Sequence, residues 1–246
     1  MKNKSKERIG EEVINNFGSK MVIIDARDSN HMDIFFPSYN YVAKDKKYTN
    51  FKNGKIKCPY EKRYYNIGYI GEGKYDGNEC KRVHAWISML QRCYDPYFLN
   101  KHPTYRDCIV CEEWHNFQNF AKWYDENYYE IGEEIMSLDK DILVKGNKIY
   151  SPETCVFVSQ RINTLIIKGD DIKTTYHKDG RNKIYSATIR IEGKRFSKGF
   201  FTLKEAKLFY KQFKENYIKR VADEYKNLIP EKLYEAMYEF KIEIND

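Results

Sequence analysis

Two oxygen-bearing side chains, Asp139 and Asn163, bracket the stretch SLDKDILVKGNKIYSPETCVFVSQRINTL, residues 137–165. The pattern predicts strand, long turn, strand, short helix. Leu138 leads into an Asp-Lys-Asp cluster, and Gly146-Asn147 and Ser151-Pro152 are turn chemistry. Cys155-Val156-Phe157-Val158 is an apolar run suited to a buried strand. Ser159 can cap a helix carrying Ile162, Asn163 and Leu165. A hairpin packed on that helix brings Asp139, at the end of the first strand, close to Asn163. Such a pair suits a hard divalent cation and leaves coordination positions for water. A second candidate set is sulfur. Cys108-x-x-Cys111 has zinc-knuckle spacing, Cys93 closes the preceding helix and Cys155 opens the second strand. Four thiolates could close a structural Zn²⁺ site; the alternative is four ordinary buried thiols.

The Asp139 stretch resembles the ββα-metal core of HNH nucleases, in the form found in phage homing endonucleases. On that resemblance Asp139 and Asn163 fall on the family's two metal ligands. Lys140 stands where the family has its general-base His, and Thr154 where it has its middle Asn. The resemblance implies a Mg²⁺- or Mn²⁺-dependent DNA nuclease with Asp139, Lys140 and Asn163 as catalytic residues. A lysine serves as a base only where desolvation or a nearby cation favours its neutral form. Asp141, His115 or a metal-bound hydroxide are the alternatives. Many HNH proteins carry a zinc beside the core, which the cysteine set would match.

Residues 175–217 carry a second resemblance, to the APETALA2/ERF type of DNA-binding domain, three antiparallel strands on one helix. The carrying residues are Tyr185, Ala187, Ile189 and Arg190, then Gly199, Phe201, Thr202, Glu205 and Ala206, with the intervening loop one residue shorter than in the family. Residue chemistry points the same way. Thr202 and Glu205 make a capping box, and Ala206, Phe209-Tyr210, Phe213 and Tyr217 form a helical stripe. Strand alternation sends Tyr185, Ala187 and Ile189 toward that helix and Ser186, Thr188 and Arg190 away from it. Phe196 points in, Arg195 and Ser197 point out, and Gly193-Lys194 makes the tight turn. The resemblance places the exposed face in the major groove of double-stranded DNA, with Arg190 and Arg195 on guanine or phosphate and Arg181, Lys183 and Lys198 on the backbone.

The elements around these sites follow from periodicity. Residues 1–80 read as a small barrel-like β module: MVIIDA (21–26) and MDIFF (32–36) are strands, and Asn53-Gly54 between Phe51 and Ile56 predicts a hairpin. The module resembles those attached to phage HNH proteins and brings no site residues. The glycines at 68, 71, 73 and 77 predict a linker or arm. Residues 81–130 turn helical, with Trp86, Leu90 and Tyr94 on one face, then Trp114, Phe117, Ala121 and Tyr124 on another. Asp95-Pro96 ends the first of these helices. Arg161 and Lys168 flank Asn163 as candidate phosphate holders. Pro230 opens a last short helix carrying Leu233, Met237 and Phe240.

Composition sets the outer bounds. The chain has 246 residues, 41% hydrophobic and 16% aromatic with 22 Tyr, enough for a sizeable core, and its net charge is +7. The charge is local: residues 172–220 hold 14 Lys/Arg against four Asp/Glu, while residues 221–246 hold three against seven. That is the distribution of a nucleic-acid footprint. No apolar run approaches the roughly 18 residues of a membrane span, and the charged N-terminus lacks a signal-peptide core. A cytoplasmic protein is expected, in the host cell if phage-encoded.

The resulting expectation is an α+β, multi-domain chain: a β module and linker (1–80), an HNH-like ββα-metal core with flanking helices (81–170) and an APETALA2-like reader with a terminal helix (171–246). Its function would be metal-dependent DNA cleavage, as a nicking or homing enzyme. The alternatives are a catalytically silent DNA-binding protein or phage regulator, or an RNA-binding module.

Overall fold

Alternation in the first forty residues builds the first sheet. In a computed structural model, which describes residues 5–78, 80–166, 172–176, 183–191 and 194–243, Glu12–Ile14 (β1), Lys20–Ala26 (β2), Met32–Phe36 (β3) and Tyr41–Lys46 (β4) pair antiparallel in sequence order. Met21, Ile23, Met32, Ile34 and Phe36 all point to one side and are fully buried. The sheet is an open meander with β1 and β4 at its edges, not a closed barrel. The hairpin expected around Asn53-Gly54 is a short helix, Tyr48–Lys52 (α1). Phe51 Nα–H donates to the Lys47 carbonyl, and the Phe51 ring joins the sheet's core. Asn53-Gly54 is therefore the helix exit. Gly54 sits at φ +64°, and a Cβ there would lie 2.6 Å from Asn16 Oδ1.

The glycine-rich segment is a packed strap rather than a free linker. Tyr64 bridges to Gly68, Tyr69 Nα–H donates to the His115 carbonyl, and Phe117 Nα–H donates to the Tyr69 carbonyl. Gly68 is needed for close approach: a Cβ would meet Leu90 at 2.5 Å and Trp86 at 2.8 Å. The strap runs past Lys81–Tyr94 (α2), which Pro96–Lys101 (α3) follows, and past Phe117–Asn127 (α4). Asp95 ends α2 and caps α3, accepting from Tyr97 Nα–H at 2.9 Å, with Pro96 at the first helical position. The aromatics form a core of their own, with Trp86 and Phe117 at 5.3 Å and Trp114 and Phe120 at 5.1 Å between centroids. Trp86 Nε1–H donates to the Trp114 carbonyl at 2.7 Å.

Short strands follow: Ile109–Val110 (β5), Met136–Asp139 (β6), Ile149–Tyr150 (β7) and Val156–Ser159 (β8). β5 pairs parallel with β7, and β6 pairs antiparallel with β8. By its contacts the chain divides into two compact units, Met1–Glu126 with Lys148–Ser151, and Asn127–Asn147 with Pro152–Asp246. The class is α+β.

In the second unit Gln160–Ile166 (α5) follows β8 and packs on both β6 and β8. Ser159 Oγ accepts from Ile162 Nα–H at 3.3 Å, the cap its position predicts. Then come Ile172–Tyr176 (β9), Lys183–Ile191 (β10) and Lys194–Phe200 (β11), an antiparallel sheet with β10 in the middle. The helix Leu203–Tyr225 (α6) opens on the Thr202–Glu205 capping box, both of its hydrogen bonds present. One helix serves two cores. Ala206 and Tyr210 pack on Ala187 and Ile189 of the sheet. Ile218, Val221 and Ala222 pack with Val156, Val158 and Ile162, the hairpin-and-helix side. Glu231–Glu239 (α7) adds Leu233 and Met237 to that second core. Val158, Ile162, Ile218, Val221, Leu233 and Met237 are all fully buried. At about 1.5–3 kcal/mol for each such aliphatic, this cluster fixes α5 in place. Among the described residues no helix is long and apolar enough to cross a membrane.

Candidate functional site

Asp139 pairs with Val156 across the β6–β8 ladder. Directly paired residues share a face, so the Asp139 side chain stands on the side of Val156 and Val158. Ile162 of α5 packs against that same side. Asn163 follows Ile162, turned about 100° round the helix, and is half-buried. β6 thus ends on the Asp139 carboxyl, on the ladder face that α5 packs against, and α5 carries Asn163 one residue beyond the Ile162 anchor. Asp139 Oδ1 accepts from Asp141 Nα–H at 2.9 Å and from Ile142 Nα–H at 2.8 Å, which fixes the carboxyl as the chain leaves β6. Oδ2 and the Asn163 amide take no hydrogen bond among the described residues. Burial raises the Asp139 pKa above its ordinary value, and the Asp141 charge adds to this; the two backbone donors and Lys140 oppose it. A carboxylate and an amide oxygen are both hard donors, the kind of donor a hard divalent cation takes.

Lys140 is buried at 7% exposure, and its Nζ lies 3.4 Å from Asp141 Oδ2. Its carbonyl accepts from Asn147 Nδ2 at 2.7 Å, which closes the long turn. The ammonium therefore faces a carboxylate, an arrangement that suits charge stabilisation better than proton abstraction. Asn147 escaped sequence reasoning as a structural contact, although the Gly146-Asn147 turn signal marked its position.

On the β9–β11 sheet the register decides which residues share the outer face. Thr188 pairs with Ser197, Ser186 with Gly199 and with Lys173, and Arg190 with Arg195. Ser186 and Ser197 hydroxyls lie 2.7 Å apart, Thr188 and Ser197 3.2 Å, and an Arg195 guanidinium N–H donates to Thr188 Oγ1 at 3.4 Å. This hydroxyl ladder under Arg195 buries Thr188 to 5% exposure. Lys173 belongs to the face and was missed, because only the β9 register places it there. Lys183 and Lys198, expected on the DNA backbone, stand on the opposite face of the sheet. Lys198 pairs with Ala187, and its Nζ lies 5.0 Å from the Phe209 ring centroid of α6. Lys183 shares the face of Tyr185, its Nζ 5.7 Å from that ring. The period of two along a strand is the reason. Phe196 faces the helix side in register, yet is 49% exposed. Arg181, Gly193 and Lys168 lie outside the described residues, as does the Arg190 side chain.

Arg161 is not a free phosphate holder. Its guanidinium donates to Tyr225 Oη at 3.2 Å and to Glu224 Oε2 at 2.9 Å, and Tyr225 Oη in turn donates to Glu134. His115, in the first unit, lies with Nε2 3.1 Å from the Val110 carbonyl. Cys93, Cys108 and Cys155 are buried and Cys111 is half-buried. Among the described residues no group of three or more His, Cys, Asp or Glu side chains is placed to hold a metal ion.

Comparison with protein-family models, curated proteins and solved structures finds no match to this chain.

Proposed function

We propose that the chain is a metal-dependent DNA endonuclease of the ββα-metal type, cutting a phosphodiester in duplex DNA that the sheet-and-helix part of the same unit selects. The observation that carries this reading is the ladder face that Asp139 shares with the α5 packing: Asp139 pairs with Val156, and Val156 and Val158 pack with Ile162, the residue before Asn163. Asp139 and Asn163 would hold Mg²⁺ or Mn²⁺, which when bound supplies charge stabilisation to the phosphate and the leaving 3′ oxygen. Asp139 is oriented for this by its two backbone donors. Lys140, held beside Asp141, neutralises charge on the scissile phosphate. Asp141, exposed at the mouth of the turn, accepts the proton of the attacking water. Arg195, Lys173 and the serine hydroxyls supply the duplex contacts.

The reading is tested by plasmid nicking. The wild type relaxes supercoiled DNA only with Mg²⁺ or Mn²⁺, and Asp139→Ala abolishes the nick while leaving duplex affinity unchanged. One observation favours the rival, a non-catalytic DNA-binding protein or phage regulator: the family's base position is a buried lysine facing a carboxylate. If no divalent ion supports nicking by the wild type, that rival stands.

A further inference from the structure

The first unit holds an aromatic that no core claims. Phe17 sits at the tip of the turn between β1 and β2 and is 45% exposed. The turn is rigid. Asn15, 4% exposed, accepts through Oδ1 from Phe17 Nα–H at 3.0 Å and from Ser19 Nα–H at 2.8 Å. Its Nδ2 donates to the Ile56 carbonyl at 3.0 Å and to Glu61 Oε1. Glu61, 2% exposed, also accepts from Cys58 Nα–H at 3.1 Å. A buried polar network of this size costs stability unless fully paired, and here it holds the ring out into water.

Cations surround the ring. Arg63 lies 5.2 Å and Lys57 Nζ 5.5 Å from its centroid. Along the neighbouring extended segment Lys55 and Lys57 alternate outward with buried Ile56 and Cys58. Lys55, Lys57 and Lys62 are exposed and form no ion pair among the described residues. The one acidic side chain in 55–63, Glu61, is committed to the interior. Arg63 is paired with Glu61, but a pre-ordered aromatic face beside exposed lysines without an ion pair is the chemistry that takes an unstacked base together with its flanking phosphates. A duplex offers no free base face to such a ring.

We infer that this turn is a single-stranded nucleic-acid site, in which Phe17 stacks on an unpaired base while Lys55, Lys57 and Lys62 hold the adjacent phosphates. The inference does not rest on the cutting chemistry. The test is tryptophan fluorescence of Phe17→Trp in the full chain. Trp86 and Trp114 are fully buried and Trp123 is 8% exposed, so they contribute a constant background. Short oligo-dT and oligo-rU quench Phe17→Trp saturably, leave the wild type unquenched, and the tighter of the two names the strand. A matched duplex does not quench. Lys55→Gln combined with Lys57→Gln lowers the salt slope of this signal by about 1.4, at about 0.7 per phosphate contact. Phe17→Ala weakens single-strand binding about tenfold without changing the melting temperature. Absence of the extra quench, or a quench equal with duplex or indifferent to the two lysines, overturns the site. Adding Asp139→Ala leaves the signal intact, so loss of cutting and loss of this site are told apart.

Discussion

The carboxyl of Asp139 is half-buried at the end of β6, where burial and the Asp141 charge raise its pKa. An acid whose pKa is higher folded than unfolded binds its proton more tightly in the folded state. Stability then falls as pH rises from the ordinary carboxylate range through the raised value. In chelator, denaturant midpoints of the wild type should fall across that window, and Asp139→Asn should remove that component. A cation held by this carboxylate would reverse the effect. Saturating Mn²⁺, at about 100 times its dissociation constant, adds about 2.7 kcal/mol to the wild type and much less to Asp139→Asn. Equal stabilisation of both proteins would remove Asp139 as a ligand. Lys140 teaches the same lesson from the other sign: its partner, Asp141, is the neighbour that makes Asp139 costly to ionise.

At the scale of elements, α6 is the joining piece of the second unit. Its first turns cover the β9–β11 sheet and its last turns complete the core behind the β6–β8 hairpin. Arg161 ties α5 to its far end through Tyr225 and Glu224, so Asn163 is positioned by the same helix that backs the sheet. The capping box therefore matters beyond its own turn. Thr202→Ala should cost about 1 kcal/mol, read as a lower urea midpoint with an unchanged slope. The hairpin around Asn53-Gly54 failed for a local reason. An Asn-Gly pair serves a hairpin turn or a helix exit equally well, and the burial of Phe51 decides for the helix.

Across the whole molecule, charge is unevenly placed, and only part of it faces outward together. Of the cations on the β9–β11 sheet, Arg195 and Lys173 share the outer face while Lys198 lies over Phe209. Arg195→Ala with Lys173→Ala should therefore lower the salt slope of duplex binding by about 1.8, at about 0.9 per contact. Lys198→Ala should leave the slope near its wild-type value. The opposite ranking would mean that the sheet meets DNA by its other side, and the reader assignment would fail.

The sequence by itself determined the elements whose signals are local. Alternation marked Met32–Phe36 and Lys183–Ile191, the Thr202–Glu205 spacing marked a capped helix, and Asp139 at a strand end with Asn163 on the next helix marked the candidate centre. Each depends on neighbours within a few residues, where period and cap chemistry suffice. The tertiary structure alone decided the rest: that α6 spans two cores, that the glycine strap is packed, that Arg161 is taken by Tyr225, that Lys173 joins the outer face and Lys198 leaves it, and that Phe17 is held out beside free cations. Those outcomes turn on strand register and on contacts between residues tens of positions apart, and a one-residue change of register would exchange one face of a strand for the other.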